Sequence, residues 1–395
     1  VNYHQQEAKG VHKSARHRAR NPRRDGELLI VSDSGGFQIM GGKADFVSPD
    51  KLTHWYGDNV DMGVVMDLPV FLDSAYLEKS AYIQKANTDY MMANKPDSLE
   101  LLNIFHGFTE DDTRMFADIV DDKRIDNLAV GGAYFLSTLQ SVDRLVGIIQ
   151  KHRPFKMYHV LGISRITQVV LFMRMAALGM APLITTDSSS WIQAGITKGY
   201  MHQPAIGEPM RSIQFGDTDN FPTEFNLLPC NCPVCSSIKY ADVLRTLGGT
   251  SMPFLISYHN FWATNQYFHA MEKLTRTLDS KDLKALLKLQ FQGRNQYLAD
   301  ETIRGIDYLD CVVEHGLEEA RHRYRPYLKK EFVNALSGFT KTLFDSGDDE
   351  MNAILTEAKQ NREKYAQRID GVMANYVNWH EARGTKVYPK KMRHS

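Results

Sequence analysis

Seven short apolar runs punctuate the chain, at 27–32, 62–66, 101–105, 127–130, 157–161, 183–186 and 254–258. Most are continuously apolar instead of alternating, the pattern of parallel strands covered on both faces. Longer stretches with helical character separate them. One is 164–179, where Ser164 is placed to cap a helix and Gly179 to end it. Strand–helix alternation of this kind predicts an α/β fold, built as an open sheet or as a barrel. From about residue 280 the strand signals stop, and 281–289 and 317–335 read as helices.

The residues that follow the runs sharpen this picture. They are Asp33-Ser34-Gly35-Gly36, Asp67, His106-Gly107, Gly131-Gly132, Gly162 and Asp187. In a (β/α)8 TIM barrel the C-terminal ends of all strands share one face, where such barrels build active sites. Polar and glycine residues gathered at six strand ends therefore favour a barrel, with one strand unrecognised. The expected organisation is a basic segment at 1–26, a barrel at 27–279 and a helical C-terminal region at 280–395. A zinc-binding subdomain is expected at about 210–260.

The chain has 395 residues, 43% of them hydrophobic and 24% charged, enough for a large core. The apolar stretch at 169–184 is interrupted by Arg174 and is too short to span a bilayer. No charged segment followed by an apolar run stands near the first residues, so a cytoplasmic protein with no membrane partner is expected. Net charge is zero, but basic residues cluster. Lys9, Lys13, Arg16, Arg18, Arg20, Arg23 and Arg24 form one tract. Arg321, Arg323, Arg325, Lys329 and Lys330 form another, and Arg383, Lys386, Lys390, Lys391 and Arg393 a third. Any one tract is equally well a solvated surface, but three suit a polyanion, because phosphate neutralisation dominates nucleic-acid affinity.

Three of the four cysteines fall within Cys230-Asn-Cys232-Pro-Val-Cys235, and His259 closes the last apolar run. Thiolates on one tight turn plus an imidazole make a tetrahedral set of the kind zinc prefers. With Cys230, Cys232, Cys235 and His259 all ligating, no position remains for an activated water, so the zinc would be structural. The alternative is free thiols and an unrelated histidine. Cys311 reads as a buried thiol.

A lone aspartate after a strand is commonly a helix cap. Asp33, Asp67 and Asp187 on one barrel face suggest instead the paired carboxylates that make and break glycosidic bonds. The runs Ser32-Asp33-Ser34-Gly35-Gly36-Phe37-Gln38, Cys230/Cys232/Cys235 and His259-Asn260 resemble the tRNA-guanine transglycosylases, in motif order from about residue 31 to 271. The segments around Thr186-Asp187-Ser188 and Leu228-Pro229-Cys230 look closer to archaeal members.

The resemblance implies a (β/α)8 barrel with a zinc subdomain, which replaces a guanine in a polynucleotide by a free 7-deazaguanine. It implies Asp187 as the nucleophile at C1′ and Asp33 as the general acid/base. Asp67 would accept hydrogen bonds from guanine's N1–H and amino group, and Phe37 would stack on the base. Ser34, Gly131, Gly132 and Gly162 would line the pocket. His106 stands where the family usually has a base-reading glutamine, and the segment after Asp187 lacks the arginines that tRNA-acting relatives carry. The chain looks more like the divergent branch that inserts 7-deazaguanines such as preQ0 into DNA, with a tRNA enzyme as the alternative. Two further readings are a non-catalytic zinc-binding partner subunit and a simple hydrolase. Members of the family often dimerise through the zinc region, which makes a second copy a candidate partner.

Overall fold

A computed structural model describes residues 29–70, 74–107, 109–132, 136–163, 165–188, 194–195, 200–203, 206–208, 211–214, 231–237, 251–292, 296–328, 361–389 and 392. The first part of the chain runs β1 (Val31–Ser32), α1 (Gly36–Met40), α2 (Pro49–Asn59), β2 (Met62–Val64), α3 (Ser74–Asn94), β3 (Glu100–Phe105), α4 (Glu110–Val120), β4 (Asn127–Val130), α5 (Thr138–Lys151) and β5 (Met157–Val160). It continues with α6 (Ile166–Ala177), β6 (Ile184–Thr186), β7 (Tyr200–Gln203), β8 (Arg211–Gln214) and α7 (Pro233–Ser237). The last elements are α8 (Ser251–Thr277), α9 (Ser280–Gln290), α10 (Gln296–His315), α11 (Leu317–Leu328) and α12 (Arg362–Glu381). The fold is α/β.

Two compact units form, and neither is a continuous piece of chain. The first comprises Val1–Gly132, Pro154–Leu161 and Glu350–Ser395. The second comprises Ala133–Arg153 and Gly162–Asp349. The helical region after residue 280 is thus divided between them.

The first unit holds the first five strands of the parallel sheet, as neighbours in chain order β1-β2-β3-β4-β5. Their register pairs Val31 with Met62, Met62 with Glu100, Leu102 with Asn127 and Asn127 with Met157. Every residue of β2, β4 and β5 is buried, which explains why these runs read as continuously apolar. Gly63 sits in β2 because the Tyr56 ring packs there; an added Cβ would lie 2.3 Å from that ring. Between β3 and β4, α4 begins with a reciprocal capping box, Thr109 with Asp112. Helix α12 adds Tyr365, Ile369 and Tyr376 to the core cluster that includes Leu52, Met66, Leu102 and Ile104. Tyr376 donates to Val47 O at 3.0 Å, and Arg368 Nε donates to Met40 O at 3.1 Å.

The second unit is mainly helical. Here β7 and β8 pair antiparallel in a two-stranded sheet of their own, so they do not extend the parallel sheet towards eight strands. Gly305 in α10 lets that helix approach α6, since a Cβ there would meet Leu171 at 2.3 Å. Arg174, the charge that interrupts the apolar stretch, donates to Thr275 O, Leu278 O and Ser280 Oγ, joining the end of α8 to the start of α9. Helix α6 ends as expected at Gly179, with φ +73 and bonds from Gly179 N–H to Ala176 O and Met180 N–H to Met175 O. Ser164 lies outside the described residues.

One expected strand is a helix. Residues 254–258 belong to α8, and His259 lies inside that helix instead of at a strand end. Five apolar residues cannot tell a strand from a buried helical turn. The inward face of α8 carries Ile256, Ser257, His259, Asn260, Thr264 and Tyr267, all buried. Its helical spacing is thus written partly in polar residues, which hydropathy does not register. Among the described residues, no helix is long and apolar enough to cross a membrane.

Candidate active site and metal centre

Helix α3 positions the candidate residues of the first unit through polar side chains that point inward. Ser80 Oγ donates to Leu68 O, and Asn87 Nδ2 donates to Met66 O at 3.0 Å. These two bonds hold the backbone on either side of Asp67. Gln84 Nε2 donates to Ile104 O at 2.8 Å, two residues before His106. Ser80, Gln84 and Asn87 are all fully buried. Past a strand end, carbonyls lose their ladder partners, and buried amides and hydroxyls supply them. Seen from composition alone, such a stripe reads as a solvated helix face, which is why these positions escaped the sequence reading.

Held this way, Ser34, Asp67 and His106 meet at the C-terminal ends of β1, β2 and β3. The Ser34 hydroxyl accepts from Gly36 N–H at 3.0 Å and donates to Asp67 Oδ1. Asp67 Oδ2 lies 2.7 Å from His106 Nε2. Ser34 is fully buried, and the Asp67 and His106 side chains are 5% and 8% exposed. A buried carboxylate is costly unless hydrogen-bonded, and here each oxygen has a hydrogen-bond partner. Gly36 is needed for this approach: a Cβ would stand 2.1 Å from Asp67 O and 2.9 Å from its Oδ1. Gly131, after β4, faces the His106 ring, where a Cβ would fall 2.4 Å from both Cε1 and Nδ1. The ring packs edge-on against Phe116 with centroids 5.3 Å apart. Gly107 takes φ +138, and a Cβ there would strike the Thr113 backbone nitrogen.

Asp33 is half-buried at the end of β1. Two buried tyrosines lie within electrostatic reach of these carboxylates. Burial raises the Tyr56 phenol well above its ordinary range, and Asp33 and Asp67 raise it further. Burial also raises Tyr376, with Asp67 adding to the effect. Tyr56 donates to Val64 O at 2.9 Å, and neither tyrosine was singled out from the sequence. Phe37, expected as a stacking surface, is half-buried in α1 and packs against the hydrophobic core. Gly132 follows Gly131 with φ +75, a left-handed conformation that favours glycine.

In the second unit, Asp187 follows β6 and is exposed. Its Oδ1 accepts from Gly162 N–H at 2.7 Å, where Gly162 has φ +72. That bond holds one carboxylate oxygen in a defined orientation.

The second unit also gathers Cys232, Cys235 and His259, whose ligand atoms all lie within 4.8 Å of one another. His259 Nδ1 is 3.4 Å from Cys232 Sγ and 3.3 Å from Cys235 Sγ. A tetrahedral zinc with ordinary bond lengths gives sulfur–nitrogen edges of about 3.5 Å, so these three atoms fit one ion. Cys235 N–H donates to Cys232 Sγ at 3.1 Å, which favours a thiolate there. The three residues could hold a metal. Cys230, the expected fourth ligand, lies outside the described residues.

Among the described residues of the basic tracts, Arg323, Arg325, Arg383 and Lys386 are exposed. Arg321 Nε bonds Asp143 Oδ1 at 2.7 Å, and Arg323 Nε bonds Glu319 at 2.7 Å. Arg383 stacks over Trp379 at 3.9 Å. Residues 9–24, Lys329, Lys330, Lys390, Lys391 and Arg393 lie outside the described residues. No protein-family model matches the chain, and no curated protein matches it either.

Proposed function

We propose that this protein is a guanine transglycosylase that exchanges a guanine in nucleic acid, DNA in preference to tRNA, for a free 7-deazaguanine such as preQ0. The observation that carries the reading is the buried Ser34–Asp67–His106 cluster at the ends of three successive parallel strands, with Asp33 beside it. A buried, carboxylate-bearing cluster suits recognition of a polar base and supports general acid/base work. The motif resemblance supplies the reaction class.

In this reading the Asp187 carboxylate attacks C1′, the bond to the departing guanine breaks with its electrons, and Asp33 protonates that base. The incoming base then gives its ring proton to Asp33 and attacks C1′, and Asp187 leaves. Two displacements restore the configuration. The Gly162 amide, donating to Asp187 Oδ1, orients the nucleophile. A zinc ion held by Cys230, Cys232, Cys235 and His259 would be structural, since four protein ligands leave no open position.

We also read the fold as a (β/α)8 barrel. Strands in chain order with right-handed crossovers place all connecting helices on one side of a sheet. Strands buried on both faces then need the sheet to close on itself, whereas an open doubly wound sheet reverses its order.

The test is base exchange with labelled preQ0 on duplex DNA and on tRNA in parallel. Incorporation into DNA with release of guanine is expected, and Asp187→Asn should lose it. Incorporation into tRNA alone would overturn the choice of polymer. Guanine released with no base inserted would make the protein a hydrolase.

A further inference from the structure

The hydrogen bonds around Asp67 assign it a different task from direct contact with a base. The Ser34 hydroxyl accepts the Gly36 amide, so its own proton goes to Asp67 Oδ1. As a carboxylate Asp67 only accepts, so the His106 nitrogen 2.7 Å from Oδ2 carries a proton. A neutral imidazole has one N–H, and with Nε2 donating, Nδ1 keeps its lone pair. Among the described residues Nδ1 has no hydrogen-bond partner. It lies against Gly131, where the ring takes the space that a side chain would fill. Phe116 packs edge-on against the ring.

We propose that His106 Nδ1 is the atom that reads the base, accepting the lactam N–H of a 6-oxopurine or its 7-deaza analogue, while Asp67 is a positioning residue that fixes the His106 tautomer. This rests on the base-exchange reading for its ligand. Guanine carries that ring N–H. Adenine has a lone pair at the same place, which would face the lone pair of Nδ1, and 1-methylguanine has a methyl group there. A buried acceptor left without its donor loses about tenfold or more in affinity. Bound to Ser34 and His106, Asp67 acts on the ligand only through the imidazole.

The experiment combines equilibrium binding of free guanine, adenine and 1-methylguanine with nitrogen-15 NMR of the histidines, His106 being assigned by its loss in His106→Gln. The wild-type chain is expected to show His106 protonated at Nε2 alone and to prefer guanine over 1-methylguanine by about tenfold or more. In Asp67→Asn the amide can donate to Nε2. The tautomer should then shift towards Nδ1–H and the preference should narrow, with the melting temperature reporting that the variant is folded. His106→Phe should abolish the preference. Asp187→Asn, unable to exchange bases, should keep both the tautomer and the preference.

A wild-type His106 protonated at Nδ1 would overturn the proposal. So would a His106→Phe variant that still discriminates, because Asp67 would then read the base itself. A wild-type chain that binds none of the three bases would overturn it as well. Selective binding and the expected tautomer without any exchange activity would leave this inference standing and remove the transglycosylase reading.

Discussion

His380 Nε2 and Asn87 Oδ1 lie 2.8 Å apart across 293 residues of chain. Through this bond α12 steadies the side chain whose other end holds Met66 O, the carbonyl before Asp67. A helix near the end of the chain is therefore part of the scaffold of the candidate site.

That relationship predicts a pH dependence. Burial, with Arg383 assisting, pushes the His380 pKa down to about 4. In the unfolded chain an ordinary histidine takes up its proton at about pH 6.5. Between these values the unfolded state binds more protons, so stability falls as the pH drops from about 6.5 towards 4. Denaturant unfolding of the wild type and His380→Gln across that range should show a shallower slope for the variant. Equal slopes would mean that His380 titrates normally in the folded chain.

Gly131→Ala and Gly36→Ala should differ in severity. At Gly131 the new methyl meets the His106 ring, which can turn at a cost of about 1–3 kcal/mol and lose its bond to Asp67. At Gly36 it meets the Asp67 backbone carbonyl at 2.1 Å, which has no such freedom. Chemical denaturation should rank Gly36→Ala as the more damaging. The nitrogen-15 signal of His106 should change in Gly131→Ala.

Metal analysis of the purified chain should find one zinc per molecule. Cys232→Ser, Cys235→Ser and His259→Ala should each lose it, and chelation should lower the melting temperature because binding energy is folding energy. Loss of zinc in Cys230→Ser would add the fourth ligand. Full retention there would leave a site completed by another group.

Asp143 ties three helices of the second unit together. Tyr308 donates to its Oδ1, and Arg321 bonds both of its oxygens, Nε at 2.7 Å and Nη2 at 3.2 Å. Burial first, and then the Asp143 charge, raise the Tyr308 phenol far above the ordinary tyrosine range. Asp143→Ala removes two bonds from an arginine that is 17% exposed, leaves its pairing with Glu318 at 3.6 Å, and should cost about 1–3 kcal/mol. Asp143→Asn, which still accepts from Tyr308, should lose less. Equal losses would mean that the charge matters more than the hydrogen bond.

Wherever one local rule governed, residue order was enough to locate an element. Mostly apolar runs marked β2 to β5 because strands buried on both faces carry few polar side chains. Gly179 marked the end of α6 because a left-handed residue there favours glycine. The Cys232–Cys235 spacing announced a turn that could hold a metal, since two thiols three residues apart already face one point. Only the tertiary structure showed that His259 reaches that turn from inside a helix, because the buried face of α8 is polar and hides its period. The division of the C-terminal region between two units was equally invisible, since long-range packing leaves no mark on local periodicity. Asp67 was legible as a polar residue after a strand. That both its oxygens are held by Ser34 and His106 depends on three strand ends meeting, and no single stretch of chain contains that information.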